Sequence, residues 1–226
     1  MTRAHAFVAD LDAPELDAAD RHHLERVLRL RPGEELTVSD GRGGWRACRF
    51  GPVLEPAGPV ARDPRPVPEI AVAFALVKGE RPEWTVQKLT ELGVDRIVPF
   101  VAARSVVRWD GERAARQSGR LRRVAREAAM QCRRTWLPEV EDAASFDEVA
   151  GRAGAVLAHP QGGPPSLTAG PVLVGPEGGW SPEEEAWDLP RMALGPHALR
   201  AETAAVAVAT LLGALRAGLV APVTGD

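Results

Sequence analysis

The run Val172-Leu173-Val174-Gly175-Pro176-Glu177-Gly178-Gly179-Trp180-Ser181-Pro182-Glu183 constrains the fold more than any other segment. It reads as a buried strand, a glycine-rich loop and a capped helix in immediate succession. Ser181 suits an N-cap, Pro182 the first helical turn, and Glu184 the capping-box position three residues after Ser181. Gly175, Gly178 and Gly179 permit close backbone approach or positive φ, so the loop can line a pocket with its own amides and carbonyls. A plain tight turn between strand and helix has the same pattern. Charge narrows what such a pocket takes. Glu177 and the run Glu183-Glu184-Glu185 make the surroundings acidic, no Lys-Ser/Thr follows the loop, and the glycine spacing is not that of a dinucleotide fingerprint. A triphosphate or dinucleotide is disfavoured, and a neutral or cationic ligand fits better.

Two more junctions are of the same kind. Met192 to Ala204 passes from an apolar strand through Gly195-Pro196 into a helix, and Ala155 to Pro160 is a strand ending at a turn. In an open α/β sheet, ligands bind outside the carboxyl ends of the strands. Ile70 to Val77 is a continuous apolar run typical of a parallel strand buried on both faces, Pro82 opens and Gly93 closes the next helix, and Ile97 to Val101 is the following strand. This alternation predicts an α/β domain over 70–226. Prolines 56, 59, 64, 66 and 68 mark its boundary with a domain over 1–69. There, Leu36 to Val38 and Trp45 to Phe50 flank a turn at Asp40 to Gly44, predicting a β-hairpin in a small barrel. Asp20 is expected to cap a short helix carrying Leu24, Val27 and Leu28.

The formal net charge of −3 conceals an asymmetry: residues 70–134 carry 14 basic and 7 acidic groups, and residues 135–226 carry 4 and 12. Over Glu112 to Arg134, Leu121, Val124, Ala125, Ala128, Ala129 and Cys132 form an apolar stripe, while Arg113, Arg116, Arg120, Arg122, Arg123 and Arg126 occupy much of the remainder. This basic face either pairs with acidic neighbours or meets phosphates. Cys48 and Cys132 stand alone, so neither a disulfide framework nor a metal site is expected, and a reducing cytoplasm suits the chain. No apolar signal core opens it. The longest charge-free apolar run, Thr203 to Leu215, is too short to span a bilayer. His159 and His197 lie at loop ends near the presumed pocket; His22 and His23, at a helix start, read as capping or packing residues, and His5 has no partner in view. Trp84, Trp136 and Trp187 are expected in the core, and Trp180 either walls the pocket or staples the following helix. The helix from Glu202 to Leu215 is apolar nearly all round and needs cover on every side, inside a monomer or at a dimer interface.

Taken together, Leu173 to Glu184 and Leu194-Gly195-Pro196-His197-Ala198-Leu199-Arg200-Ala201-Glu202-Thr203-Ala204 resemble the C-terminal signature of the SPOUT methyltransferases, specifically the bacterial ribosomal RNA small subunit methyltransferase E (RsmE) family. Lys78-Gly79-Glu80, Gln87 to Val94 and Ala103-Arg104-Ser105-Val106-Val107 resemble further blocks of that family. His22 to Gly33 and Ser39 to Gly43 resemble its small RNA-binding domain. One departure is visible: Met130-Gln131-Cys132-Arg133-Arg134 stands where the family usually has Glu-Gln-Ser/Cys-Gly-Arg.

The resemblance implies a PUA-like/OB-like β-barrel followed by a SPOUT α/β domain with a C-terminal trefoil knot, pairing as a homodimer. It implies S-adenosyl-L-methionine as methyl donor and N3 of one uridine in 16S ribosomal RNA of the small subunit as acceptor. Its cofactor residues map to His159, Pro160, Leu173, Gly175, Glu177, Gly178, Leu194, Gly195, Leu199 and Arg200. RNA contacts map to Arg26, Arg29 and Arg42, to which the basic helix adds Arg116, Arg120 and Arg123. Arg104 and Arg200 are candidates to stabilise charge on the uracil carbonyls, and Glu177 or Glu202 to accept the imide proton. For Glu202, a helix-start role toward backbone amides competes with catalysis. Another SPOUT activity, ribose 2′-O or guanosine N1 methylation, would share the cofactor loops. A non-enzymatic RNA-binding protein would keep the basic helix without needing three converging loops.

Overall fold

In a computed structural model that describes residues 4–107, 109 and 111–221, the chain divides into two compact units. The first comprises residues 1–66 with 126–137, the second 67–125 with 138–226. In the first, β1 (His5–Phe7), β2 (Glu35–Ser39), β3 (Gly44–Arg49), β4 (Glu55–Pro56) and β5 (Ala61–Arg62) form one sheet. The predicted hairpin is β2 and β3, paired antiparallel from Glu35↔Arg49 to Ser39↔Trp45. Its turn is tied by Asp40 Oδ1, which accepts from the amides of Arg42 (2.7 Å) and Gly44 (2.9 Å). Leu24, Leu30, Leu36, Val38, Cys48 and Phe50 fill the core beside this sheet.

The short helix α1 (Ala18–His22), continued by a π-helical turn over His23–Val27, is capped by Asp17 rather than Asp20. Asp17 Oδ1 accepts from the Asp20 amide at 2.7 Å. Asp20 is instead buried and faces Arg126, whose Nη1 donates to Asp20 Oδ1 at 2.8 Å. Either aspartate satisfies a capping preference; the distant arginine decides between them, and local sequence does not carry that information.

The second unit is built on a seven-stranded sheet in which every pairing is parallel. In chain order its elements are β6 (Ala71–Ala75), α2 (Arg81–Glu91), β7 (Arg96–Val101), α3 (Gly111–Cys132), β8 (Glu139–Val140), β9 (Ala144–Ser145), α4 (Phe146–Ala150), β10 (Val156–Gly163), β11 (Val172–Val174), α5 (Pro182–Glu185), β12 (Arg191–Met192) and α6 (Ala201–Arg216). From Arg126 onward, α3 belongs to the first unit. Strand order is β12-β10-β11-β6-β7-β8, with β9 also on β7. The chain starts in the middle, builds outward through β7, then returns to build the other side, so the order reverses between β6 and β11.

Alternation along the buried strands divides two cores. Val72, Phe74, Val172 and Val174 join Val86, Leu89, Leu121, Val208 and Leu212 on the face covered by α2, α3 and α6. Ala73, Ala75, Leu173 and Leu157 face the opposite way, with Phe100, Phe146, Val149 and Trp180. α6 buries Ala201, Ala205, Val208, Ala209 and Leu212, but Thr203 and Thr210 are exposed, so within one chain it is covered on one side. None of the three tryptophans expected in the core is there: Trp84 is 43% and Trp187 36% exposed, and Trp136 is half-buried and outside the core clusters. Thr85, Val86 and Leu89 supply the inward face of α2, which leaves Trp84 outward.

The departure noted at Met130 to Arg134 has a backbone consequence. Arg133, at the position usually held by glycine in the resembled family, follows the last residue of α3 with φ +60, the left-handed conformation that ends helices. A side chain there costs about 1 kcal/mol relative to glycine. Arg133→Gly should therefore raise the urea midpoint, by up to about 1 kcal/mol of stability; an unchanged or lower midpoint would mean that the arginine side chain compensates.

Candidate functional site

β12, β10 and β11 are neighbouring strands; β10 runs past the turn expected at Pro160 as far as Gly163, and its own segment from Ala158 to Pro160, with the loops leaving β11 and β12, encloses a cavity of about 240 Å³. The β10 segment supplies Ala158, His159 and Pro160; the glycine loop supplies Val174 to Glu177, Gly179 and Trp180; the third junction supplies Leu194, Gly195, His197, Ala198 and Leu199. Ala201 and Ala204 on α6 complete the wall. The three junctions read from sequence thus meet at one place. Among the described residues, no lysine or arginine lines it and the one carboxylate is Glu177. A larger open groove of about 760 Å³ along β8 and β9 is crossed by its own ion pairs, including Arg122–Asp142 (2.8 Å) and Arg152–Glu141 (2.7 Å), which leaves it no evident charge to offer a ligand.

The glycine loop has its shape from inside and outside. Gly179 N donates to Pro176 O at 2.9 Å, closing a turn whose last residue has φ +70, a conformation natural to glycine. The capping box forms as expected: Ser181 Oγ accepts from Glu184 N (3.2 Å), and Glu184 Oε2 accepts from Ser181 N (2.8 Å). The other oxygen, Glu184 Oε1, accepts from Ala103 N at 2.7 Å, just beyond β7. Glu184 is only 4% exposed, so the cap doubles as a buried strut between two loops. Trp180 both walls the pocket and enters the core. Its ring stacks on Phe100 at 6.2 Å, its Nε1 donates to Ala158 O at 3.2 Å, and it lies so close to Gly175 that a Cβ there would meet it at 3.0 Å.

Seven of the ten expected cofactor residues line this cavity: His159, Pro160, Gly175, Glu177, Leu194, Gly195 and Leu199. Three do not. Leu173 points to the opposite core because strand alternation sends it there between Val172 and Val174. Gly178 turns toward Arg104, whose Nη1 donates to Gly178 O at 2.8 Å. A Cβ on Gly178 would meet Arg104 Cβ at 3.4 Å, so a larger residue there crowds that arginine and not the cavity. Arg200 is exposed at the N-cap of α6 without a side-chain capping bond. Of the candidate proton acceptors, Glu177 is ion-paired with Arg81, and Glu202 lies 3.8 Å from the same guanidinium. Arg81 was not singled out by sequence: it lies 96 positions from Glu177, and only the pairing of β6 with β11 brings them together. His159 Nδ1 lies 3.1 Å from the Gln161 amide, which holds its ring at the wall.

On α3, Arg116 lies 3.5 Å from Glu112 and Arg120 3.1 Å from Glu83, while Arg123 is exposed with no such partner among the described residues. Arg122 reaches Val140 O and Asp142, so part of the basic face is spent on neighbours within its own unit. In the first unit Arg26, Arg29 and Arg42 are all exposed, Arg29 with φ +52.

Residues 63–213 match the model of an RNA methyltransferase domain, and residues 16–51 that of an RNA methyltransferase PUA domain. Ribosomal RNA small subunit methyltransferase E of Mycobacterium bovis is 35% identical over 88% of this chain and 86% of its own length. The chain belongs to the RsmE family. The Bacillus subtilis protein of the same name is 31% identical, over 81% of this chain and 82% of the relative. Among solved structures, that of an RsmE protein from Neisseria gonorrhoeae bound to S-adenosyl methionine superposes with TM-score 0.80 at 28% identity, covering 94% of this chain and 97% of that one. The α/β methyltransferase fold of the RsmE family accordingly holds the cavity at the carboxyl ends of its strands.

Glu184→Ala should destabilise the protein by about 2–3 kcal/mol, because it removes the carboxylate half of the capping box and leaves the Ser181 and Ala103 amides without their acceptor, while Ser181 Oγ can still cap the helix. Urea unfolding of the purified variant measures this; a loss under about 0.5 kcal/mol would show that water replaces the carboxylate and that the strut is dispensable.

Proposed function

We propose that this protein is an S-adenosyl-L-methionine-dependent ribosomal RNA methyltransferase that acts on N3 of one uridine in the 16S RNA of the small subunit. The observation that carries the reading is the lining of the cavity: backbone, apolar side chains, the imidazoles of His159 and His197 and a single carboxylate, with no lysine or arginine to hold a phosphate. That lining suits a neutral adenine and a cationic sulfonium. S-adenosyl-L-methionine, when bound, supplies an electrophilic methyl carbon. Its holders are His159, Pro160, Gly175, Glu177, Leu194, Gly195 and Leu199, with Arg200 at the mouth.

The remaining work falls to the protein. Alignment of uridine N3 with the methyl carbon supplies much of the acceleration. As the N3 proton leaves, charge spreads onto the flanking carbonyls, and an arginine facing them stabilises it. Arg200, exposed and without a capping role, is available for this; Arg104 already holds Gly178 O through Nη1. Proton acceptance by Glu177 or Glu202 requires the ion pair with Arg81 to open.

In this reading residues 1–69 form a PUA-like β-barrel RNA-binding domain presenting Arg26, Arg29 and Arg42, and residues 70–226 a SPOUT domain with a trefoil knot. The route of the chain, out from β11 to β12 and back through α6 over β11 and β6, is the kind of route a knot needs. The half-covered α6 favours a homodimer, with the uncovered side as part of its interface. On this reading the enzyme works on ribosomal subunits in the cytoplasm; no helix of the described residues is long and apolar enough to cross a membrane.

Methyl transfer from labelled donor to 30S subunits lacking the modification, followed by nucleoside mapping, should give 3-methyluridine at one position; label in ribose or in guanosine would assign a different activity of the same superfamily, and no label would leave an RNA-binding protein. Arg200→Lys keeps charge but loses the planar fork of donors, and single-turnover methylation should fall about tenfold, roughly 1.4 kcal/mol of transition-state stabilisation, with cofactor affinity unchanged. A wild-type rate would make Arg200 structural.

Replacing Arg116, Arg120 and Arg123 together by Gln should weaken RNA binding and flatten the log–log salt dependence by about two to three units. Affinity for S-adenosyl-L-methionine should hold. An unchanged slope would assign the helix face to intramolecular pairing alone.

A further inference from the structure

The reversal of strand order between β6 and β11 opens a crevice at their carboxyl ends, the usual place for a ligand in an open α/β sheet. Here a side chain spans it. Arg81, in the first turn of α2 after β6, donates through Nη1 to Glu177 Oε1 in the loop after β11. The same nitrogen lies 3.8 Å from Glu202 Oε2 at the start of α6, and Arg81 Nε donates to Lys78 O at 3.2 Å, which fixes the guanidinium from behind.

Glu202 gives this cluster its weight. Its Oε2 is buried and has no hydrogen bond among the described residues, so Arg81 is the counter-charge recorded for it. A buried carboxylate left without a counter-charge is costly, and a second carboxylate nearby raises the cost. Take Arg81 away, and Glu177 and Glu202 repel across the space it filled. Glu202 is fixed in the first turn of a long helix; Glu177 stands in a four-residue turn and is half exposed, so the turn is what yields.

On its other side the turn is held by Arg104 at Gly178 O. The two arginines differ in consequence, because Glu177 lines the cavity and Gly178 does not.

We propose that Arg81 is a positioning residue of the cofactor site: by neutralising Glu177 and Glu202 together it holds the 176–179 turn against the crevice and sets the shape of the cavity before any ligand arrives. The part of this that concerns the cofactor rests on the S-adenosyl-L-methionine reading above; the part that concerns the turn does not. Arg81 acts through Glu177 and needs no contact with donor or RNA.

Two measurements on Arg81→Gln, Glu177→Gln and the double variant test this. Amide hydrogen exchange of the unliganded proteins should be about tenfold faster across 175–180 in either single variant, with β6 and β7 as protected as in wild type. Calorimetric titration with S-adenosyl-L-methionine should show Kd raised about tenfold by Arg81→Gln in the wild-type background and within about twofold of unchanged in the Glu177→Gln background. Arg81→Lys, a point charge unable to serve two carboxylates from one fork, should recover part of the loss. Equal losses in both backgrounds, or exchange that rises across the whole second unit instead of the turn, would overturn the proposal. If Arg81→Gln does not fold, Glu177→Gln breaks the same pair from the loop side, and unchanged exchange there overturns the proposal equally. Should the wild type bind no S-adenosyl-L-methionine, the cofactor reading fails, and the exchange experiment still decides whether Arg81 holds the turn.

Discussion

The buried carboxylate of Glu184 is the interaction on which the site depends. One oxygen closes the capping box on Ser181 and so starts α5; the other takes the amide of Ala103, beyond the end of β7. Ala103 is followed by Arg104, which reaches Gly178 O. One buried side chain therefore fixes both the helix after the glycine loop and the strand-end segment whose arginine holds that loop. A carboxylate meeting two backbone N–H groups in a dry setting is a strong, directional arrangement, and it leaves neither amide orphaned.

Around that strut, the parallel sheet does the placing. β10, β11 and β12 are neighbours, so the loops after β11 and β12 converge on the middle of β10; β6 lies next to β11, so the first turn of α2 comes beside the glycine turn. Trp180 joins pocket wall to core, stacked on Phe100 and bonded to Ala158 O, which makes cavity shape and core packing parts of one structure. The proposed methyl transfer asks for this arrangement: a largely apolar holder for the donor, with one carboxylate and no lysine or arginine in its wall.

The sequence made legible whatever is encoded locally. Ser181 and Glu184 state the cap, the glycines state the turn, and the apolar runs at Ile70 and Val172 state buried parallel strands. Partnerships across long separations were not legible. Asp17 and Asp20 are equally good caps on paper, and Arg126, over a hundred residues on, takes Asp20. Arg81 looks like an ordinary first-turn residue until β6 pairs with β11. Leu173 belongs to the motif by resemblance, and the two-residue period of a strand turns its side chain to the other core. Trp84 has the bulk of a core residue, yet three smaller residues fill the inward face of its helix and leave it outside.

The central claim is that the cavity formed by β10 and the loops after β11 and β12 holds the methyl donor. A crystal structure with S-adenosylhomocysteine tests it most directly. Density for the ligand should lie against Ala158 to Pro160, Gly175 to Trp180 and Leu194 to Leu199, with no lysine or arginine of the cavity wall on its adenine or amino-acid moiety. Ligand density outside those loops, in a protein that methylates its RNA, would contradict the account.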